Sequence, residues 1–214
     1  RHIRDEDVVR LKDSIHVPLN FEAAVTDEML DIIEKTKPEH VCLVPERRQE
    51  ITTEGGLDVI GQFDRVHAAC VRLAEAGSRV SLFIGADLAQ IDAAAKAGAP
   101  CVELHTGPLA HAWWDGDAAL LQKELARLQA GLRHARSLGL RTHAGHGLAL
   151  SEVARDGRPV QAISSTALVA ALPDVSELHI GHALIGHSVF VGIRQAIADF
   201  KAEAIRARRQ GLPG

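Results

Sequence analysis

The sequence has no tyrosine, two tryptophans, one methionine and only 3% aromatic residues. A core of stacked rings is therefore excluded, and the 46% of hydrophobic residues must pack mostly as Ala, Val, Ile and Leu. Alanine-rich helices laid on aliphatic strands are the usual style of α/β proteins with parallel sheets. The three cysteines (Cys42, Cys70 and Cys101) are odd in number and far apart, which leaves neither a disulfide framework nor a thiolate metal spacing. A reducing cytoplasm is the expected compartment. The formal net charge of −4, with histidine neutral, lacks the basic footprint of a nucleic-acid or anionic-membrane partner, and neither is expected. No apolar run reaches spanning length. No GxGxxG follows the first strand candidate, and GxxxxGK[ST], HxH and HExxH do not occur, so dinucleotide, P-loop and zincin readings lose their signatures.

What the 214 residues do contain is a repeat of design. The stretches "CVRLAEAGSRVSLFI", "IDAAAKAGAPCVELH" and "LRHARSLGLRTHAGH" each run amphipathic helix, glycine, apolar strand. Gly77, Gly98 and Gly139 stand where a helix C-terminus favours a left-handed residue. The pattern predicts strands over 17–24, 40–46, 79–86, 100–105, 140–145 and 177–183. Helices are expected over roughly 5–14, 26–37, 58–76, 88–98, 117–138, 161–172 and 188–209. No linker or composition shift divides the chain, which reads as a single domain over 1–214.

Titratable residues gather where these strands end, at Glu22, Glu46, Asp87, His105, His146 and His182. A (β/α) barrel and an open α/β sheet both place active-site groups at the C-terminal ends of successive strands. Alternation puts Asn20 with Glu22 on one face of "PLNFEAA", and Glu103 with His105 on one face of "CVELHTG". Carboxylates and imidazoles sharing a confined site suit acid–base chemistry. Each has a plainer reading: Glu22 as a structural carboxylate paired to arginine, His105 as a satisfied core histidine.

Three further segments stand out. "RRQEITTEGGLD" (47–58) reads as a solvated loop or as a lid hinged at Gly55–Gly56, with Thr52 and Thr53 offering hydroxyls. "AHAWWDGD" (110–117) holds both tryptophans in an expected loop that caps a rim or an oligomer contact. In "ELHIGHALIGHSVFVG" (177–192) the Gly181–His182 turn offers backbone N–H groups to a phosphate. The alternative there is a metal site drawn from His105, His143, His146, His179 and His182, though no HExxH-type signature supports it.

Taken in order, "RHIRDEDV", "LNFEAAVTDEML", "CLVPERRQEITTEGGLDV", "VSLFI", "ELHTG", "AGHGL" and "IGHALIG" followed by "VFVG" closely resemble the pyridoxine 5'-phosphate synthase family along essentially the whole chain. The resemblance implies a (β/α)8 TIM barrel, homo-octameric assembly, two small-molecule phosphate substrates, and no metal or organic cofactor. It implies Glu22 as general base, His146 as proton donor and Glu103 in transition-state stabilisation. It implies His2 and Thr52 as contacts for one sugar phosphate, and Gly147, Gly181 and His182 for an aminoketone phosphate. In the family a strand with Gly-x-Asn-x-Asp-His, a helix and a second strand precede this point, so about six of eight strands are expected here and the chain by itself is expected to be poorly active. His143 stands where relatives often have Asn, and His187 where they often have Arg. The other readings are a metal-dependent barrel hydrolase and an inactive remnant acting only in assembly.

Overall fold

The structure, a computed structural model, describes residues 3–46, 55–151 and 161–210. All six expected strands are present, each shorter at its ends than the sequence suggests. They are β1 (Asn20–Ala24), β2 (His40–Val44), β3 (Arg79–Ile84), β4 (Cys101–His105), β5 (Arg141–Gly145) and β6 (Glu177–His179). They form one sheet in the order β1-β2-β3-β4-β5-β6. The β1–β2, β2–β3 and β5–β6 pairs are parallel: Glu22 lies opposite Cys42, Cys42 opposite Ser81, and His143 opposite Glu177. Parallel neighbours need a crossover, and at least one helix fills every connection. The fold is α/β.

The chain packs as two compact units, residues 1–103 with 137–141 and residues 104–136 with 142–214. The first carries α1 (Asp5–Ser14), α2 (Asp27–Thr36), α3 (Phe63–Glu75) and α4 (Leu88–Lys96). Its helices are stopped and started by local chemistry. The Thr26 hydroxyl caps α2 by accepting from the Met29 N–H at 3.3 Å, and the Asp87 carboxylate caps α4 by accepting from the Gln90 N–H at 2.9 Å. Asp87 is thus a helix cap rather than a strand-end functional group. Arg72 on α3 binds Glu34 and Asp31 of α2 at 2.7 and 2.5 Å. Ile33, Val41, Leu43, Leu82, Ile84 and Ile91 have no exposed surface. Each such aliphatic side chain stabilises the fold by about 1.5–3 kcal/mol.

The second unit carries α5 (Gly107–Asp115), most of α6 (Ala118–Ser137), α7 (Ser165–Ala170), α8 (His182–Val191) and α9 (Ile193–Gln210). Two expectations fail here. The tryptophan segment is a helix, not a loop: Thr106 precedes it, Pro108 occupies its first turn and Gly116 ends it at φ +69°. Trp113 is buried and its indole N–H donates to the Ile163 carbonyl at 2.7 Å, so it anchors the interior instead of capping a rim. The last helix is two helices. Gly192, at φ +82°, separates α8 from α9, and His182 opens α8 instead of ending β6. An apolar run of 182–191 satisfies a strand and a helix equally, and periodicity alone does not separate them. At the other end, the Arg208 guanidinium donates to the Leu172 and Val175 carbonyls and ties α9 to the approach to β6.

Gly77, Gly98 and Gly139 do end their helices with φ between +82° and +93°, and a methyl group there would touch nothing. Their role is conformational. Gly56 differs: at φ +91° its hydrogen faces the Ile84 backbone, which an added Cβ would meet at 2.7 Å. Beside it, the Leu57 N–H donates to the Phe83 carbonyl at 2.7 Å. Gly56 is therefore fixed by close backbone approach to β3 and is not a free hinge. The rest of that loop-or-lid segment, 47–54, lies outside the described residues. Among the described residues no helix is long and apolar enough to cross a membrane.

Candidate functional site

In the first unit, β1, β2 and β4 bring three reactive groups together. Glu22 and Cys42 are register partners, and one donor atom each from Glu22, Cys42 and Glu103 lies within 4.8 Å of the other two. Glu103 is 2% exposed and Cys42 fully buried, whereas Glu22 is exposed. The Cys42 thiol donates to Glu103 Oε2 at 3.3 Å. Burial pushes the Cys42 thiol well up, and the Glu103 charge pushes it further, so Cys42 remains a protonated donor and not a thiolate nucleophile. This arrangement can fix one buried carboxylate while a second, open to solvent, exchanges protons. Sequence reasoning placed Glu22 and Glu103 correctly on their faces but missed Cys42; the alternation of "HVCLV" was the available signal.

In the second unit the histidines are held on a bend. His146 follows β5 directly and has φ +84°, between Gly145 and Gly147. A non-glycine residue with positive φ costs of order 1–3 kcal/mol and persists only where its surroundings impose it. The imposing groups are identifiable. The buried Thr106 hydroxyl lies 2.6 Å from both the Gly145 and the His146 carbonyl, and the Thr106 N–H donates to Gly145 at 2.8 Å. Gly147, at φ +79°, lies so close to α5 that an added Cβ would meet the Ala110 Cβ at 2.7 Å. The exposed His146 imidazole is thereby set against His105, with ring centroids 4.7 Å apart. Gly107 makes room for both rings: a Cβ there would meet His105 Nε2 at 2.6 Å and His146 Cδ2 at 3.2 Å. Thr106 was not singled out from the sequence, because a hydroxyl flanked by His and Gly carries no pattern of its own.

His143 faces β6. Its Nε2 lies 3.7 Å from Glu177 Oε2, and its ring meets that of His179 edge-on at 5.1 Å. Gly181 caps α8 in open space, and His182, the first residue of that helix, is exposed. His187, which stands where relatives often have Arg, bonds through Nε2 to Asp199 Oδ2 at 2.8 Å and joins α8 to α9. That bond holds the Asp199 carboxyl below the usual range. Glu46 lies two residues beyond β2. His2 and Thr52 lie outside the described residues.

Among solved structures, the chain is similar to a xylose isomerase domain protein from Planctomyces limnophilus, with 14% identity, a TM-score of 0.47, and coverage of 87% of this chain and 72% of that one. It is also similar to a structure described as the Amycolatopsis orientalis BexX/CysO complex, with 17% identity, a TM-score of 0.45, and coverage of 98% of this chain and 66% of that one. The family model described as "Pyridoxal phosphate biosynthesis protein PdxJ" matches residues 1–206. That span contains the Glu22–Cys42–Glu103 cluster and the His105–His146 pair alike, and the chain belongs to the PdxJ family of pyridoxal phosphate biosynthesis proteins.

Proposed function

We propose that the chain works as a pyridoxine 5'-phosphate synthase, a transferase that condenses 1-deoxy-D-xylulose 5-phosphate with 3-amino-2-oxopropyl phosphate to pyridoxine 5'-phosphate, inorganic phosphate and water. The observation that carries the reading is the family match over residues 1–206, which includes both groups of proton-handling side chains. Imine formation, enolisation, phosphate loss and dehydration are all proton transfers, and positioned carboxylates and imidazoles serve them without redox chemistry. Glu22, open to solvent beside a buried carboxylate, is the general base. Glu103, held by the Cys42 thiol, stabilises developing positive charge. His146, presented on its glycine-flanked bend, returns the proton to a leaving oxygen.

Two phosphates need two anion sites. Gly147, Gly181 and His182 serve the aminoketone phosphate, supported by the N-terminus of α8, where backbone N–H groups and the helix dipole favour an anion. His2 and Thr52 serve the deoxyxylulose phosphate. The wider architecture in this reading is one (β/α) barrel domain in the cytoplasm, active as a homo-oligomer. Support for assembly comes from Val189 and Phe190 on α8, 77% and 87% exposed, and from Ile193 and Ile197 on α9, also exposed. Incubating the purified chain with both phosphates tests the reaction. Pyridoxine 5'-phosphate fluorescence should rise only when both are present, with one inorganic phosphate released per product. Phosphate release from either substrate alone, without product fluorescence, would replace the synthase reading with a hydrolase.

A further inference from the structure

We propose that His143, Glu177 and His179 form a binding site for one divalent transition-metal ion of the zinc class. Neither the family match nor the acid–base reading gives these three residues a role. The parallel register sets His143 opposite Glu177 and Gly145 opposite His179. With a side-chain period of two, the three side chains rise from one face of the β5–β6 pair, and Gly145 leaves the position opposite His179 without a side chain. The donor atoms converge. His179 Nε2 lies 3.3 Å and His143 Nε2 3.7 Å from the two oxygens of the same carboxylate. One donor atom from each residue lies within 4.8 Å of the others.

These separations fit a metal. A tetrahedral ion with bonds of about 2.0–2.1 Å holds its ligands about 3.3 Å apart, so the Glu177–His179 spacing already matches and the other edges close by rotamer adjustment. Two imidazoles and one carboxylate form a donor set typical of zinc sites that keep a further position for water. Burial is arranged accordingly. The His143 and His179 side chains are 9% and 18% exposed, and Glu177 is 46% exposed, so water reaches the ion from the carboxylate side. A hydrogen-bonded clasp of Glu177 between two imidazoles is the competing account, and it predicts indifference to metal.

The site does not rest on the synthase reading, and its test does not use turnover. The untagged full chain, stripped by chelator, is titrated with Co2+ as a visible stand-in and then with Zn2+. The expected result is one saturable equivalent with the absorption of four- or five-coordinate cobalt, displaced by Zn2+. His143→Asn, His179→Asn and Glu177→Gln should each weaken binding at least tenfold. His67→Asn should leave it unchanged, since that ring stacks on Phe63 in the first unit. His179→Cys should add a thiolate-to-cobalt charge-transfer band absent from the parent chain. The parent titration and the His179→Cys spectrum decide the question even where an Asn variant fails to fold. No saturable one-equivalent signal, a signal that survives all three substitutions, or no new band in His179→Cys overturns the proposal.

Discussion

The Glu22–Cys42–Glu103 cluster and the His105–His146 pair are held in place by different means. The first sits on regular strands, where the ladder fixes every Cα and alternation aims each side chain. The second depends on a backbone bend, with positive φ at His146 and Gly147 and a shared Thr106 hydroxyl beneath. Strand-held groups are rigid at the level of the sheet, and losing one side chain leaves the others in place. A bend-held group is only as well placed as the contacts that force the bend. The acid cluster should therefore respond to changes in its own functional groups, and the imidazole pair also to changes in residues that never meet substrate.

The largest expected effects come from the functional groups themselves. Glu22→Gln and His146→Asn should each lower kcat by about 10²–10⁴, the usual worth of a positioned acid or base. Both side chains are exposed, so the thermal midpoint should move little. If His146→Asn retained near-full turnover while Glu22→Gln lost it, the imidazole pair would drop out of the reaction and the acid cluster would stand alone.

Glycine replacements separate close approach from backbone strain. Gly56→Ala in the first unit and Gly147→Ala in the second each combine positive φ with a 2.7 Å clash. Denaturant unfolding should show a loss of about 2–5 kcal/mol for each, summing the left-handed and overpacking costs. Gly77→Ala, at φ +93° but with nothing within 4 Å, should lose only about 1–2 kcal/mol. Equal losses in all three would mean that the close contacts at Gly56 and Gly147 relax freely.

Thr106→Val tests the bend from beneath. Removing the hydroxyl takes away the one proton that the Gly145 and His146 carbonyls share. Gly145 keeps the Thr106 N–H, so the His146 carbonyl is the one left short of a donor, at a cost of about 1–3 kcal/mol in unfolding free energy. Turnover should fall as His146 loses its fixed orientation, and Thr106→Ser should restore both quantities. An unchanged kcat in Thr106→Val would show that the bend is fixed by Gly147 packing alone.

The same contrast governs what could be read from the sequence. All six strands were legible, because helix–glycine–strand repeats and period-two alternation are local signals. Glu22, Glu103 and His105 were placed on their faces by counting residues. Cys42 escaped because its partner Glu103 is 61 positions away, and only strand order brings the two together. Thr106 escaped because its value lies in two carbonyls about 40 residues distant. The tryptophan segment reads as a loop because Gly116 and its flanking aspartates are turn residues, whereas in the structure Pro108 starts a helix that Gly116 ends. The break at Gly192 was hidden by apolar residues on both sides of it, which fit one long helix as well as two.

The smallest predicted effect lies away from both clusters and checks that first-unit electrostatics act as surface pairs. Glu39, just before β2, accepts from Lys12 of α1 at 2.5 Å and from the Leu19 N–H at 2.9 Å. The lysine bond first, and the backbone bond second, hold its carboxyl down to about 2. A folded-state value below the unfolded one of roughly 4.3 stabilises the fold above the unfolded value. That contribution fades as the pH falls through about 2, when the folded carboxylate itself takes up a proton. Glu39→Gln should accordingly unfold at lower denaturant than the parent near pH 7, and the two midpoints should converge on acidification. Because the pair is open to solvent, the gap at pH 7 should be small and should shrink with added salt. A gap that widened toward acid would mean that Lys12 and Leu19 bind the protonated carboxyl better than the charged one, against the geometry of two donors aimed at its oxygens.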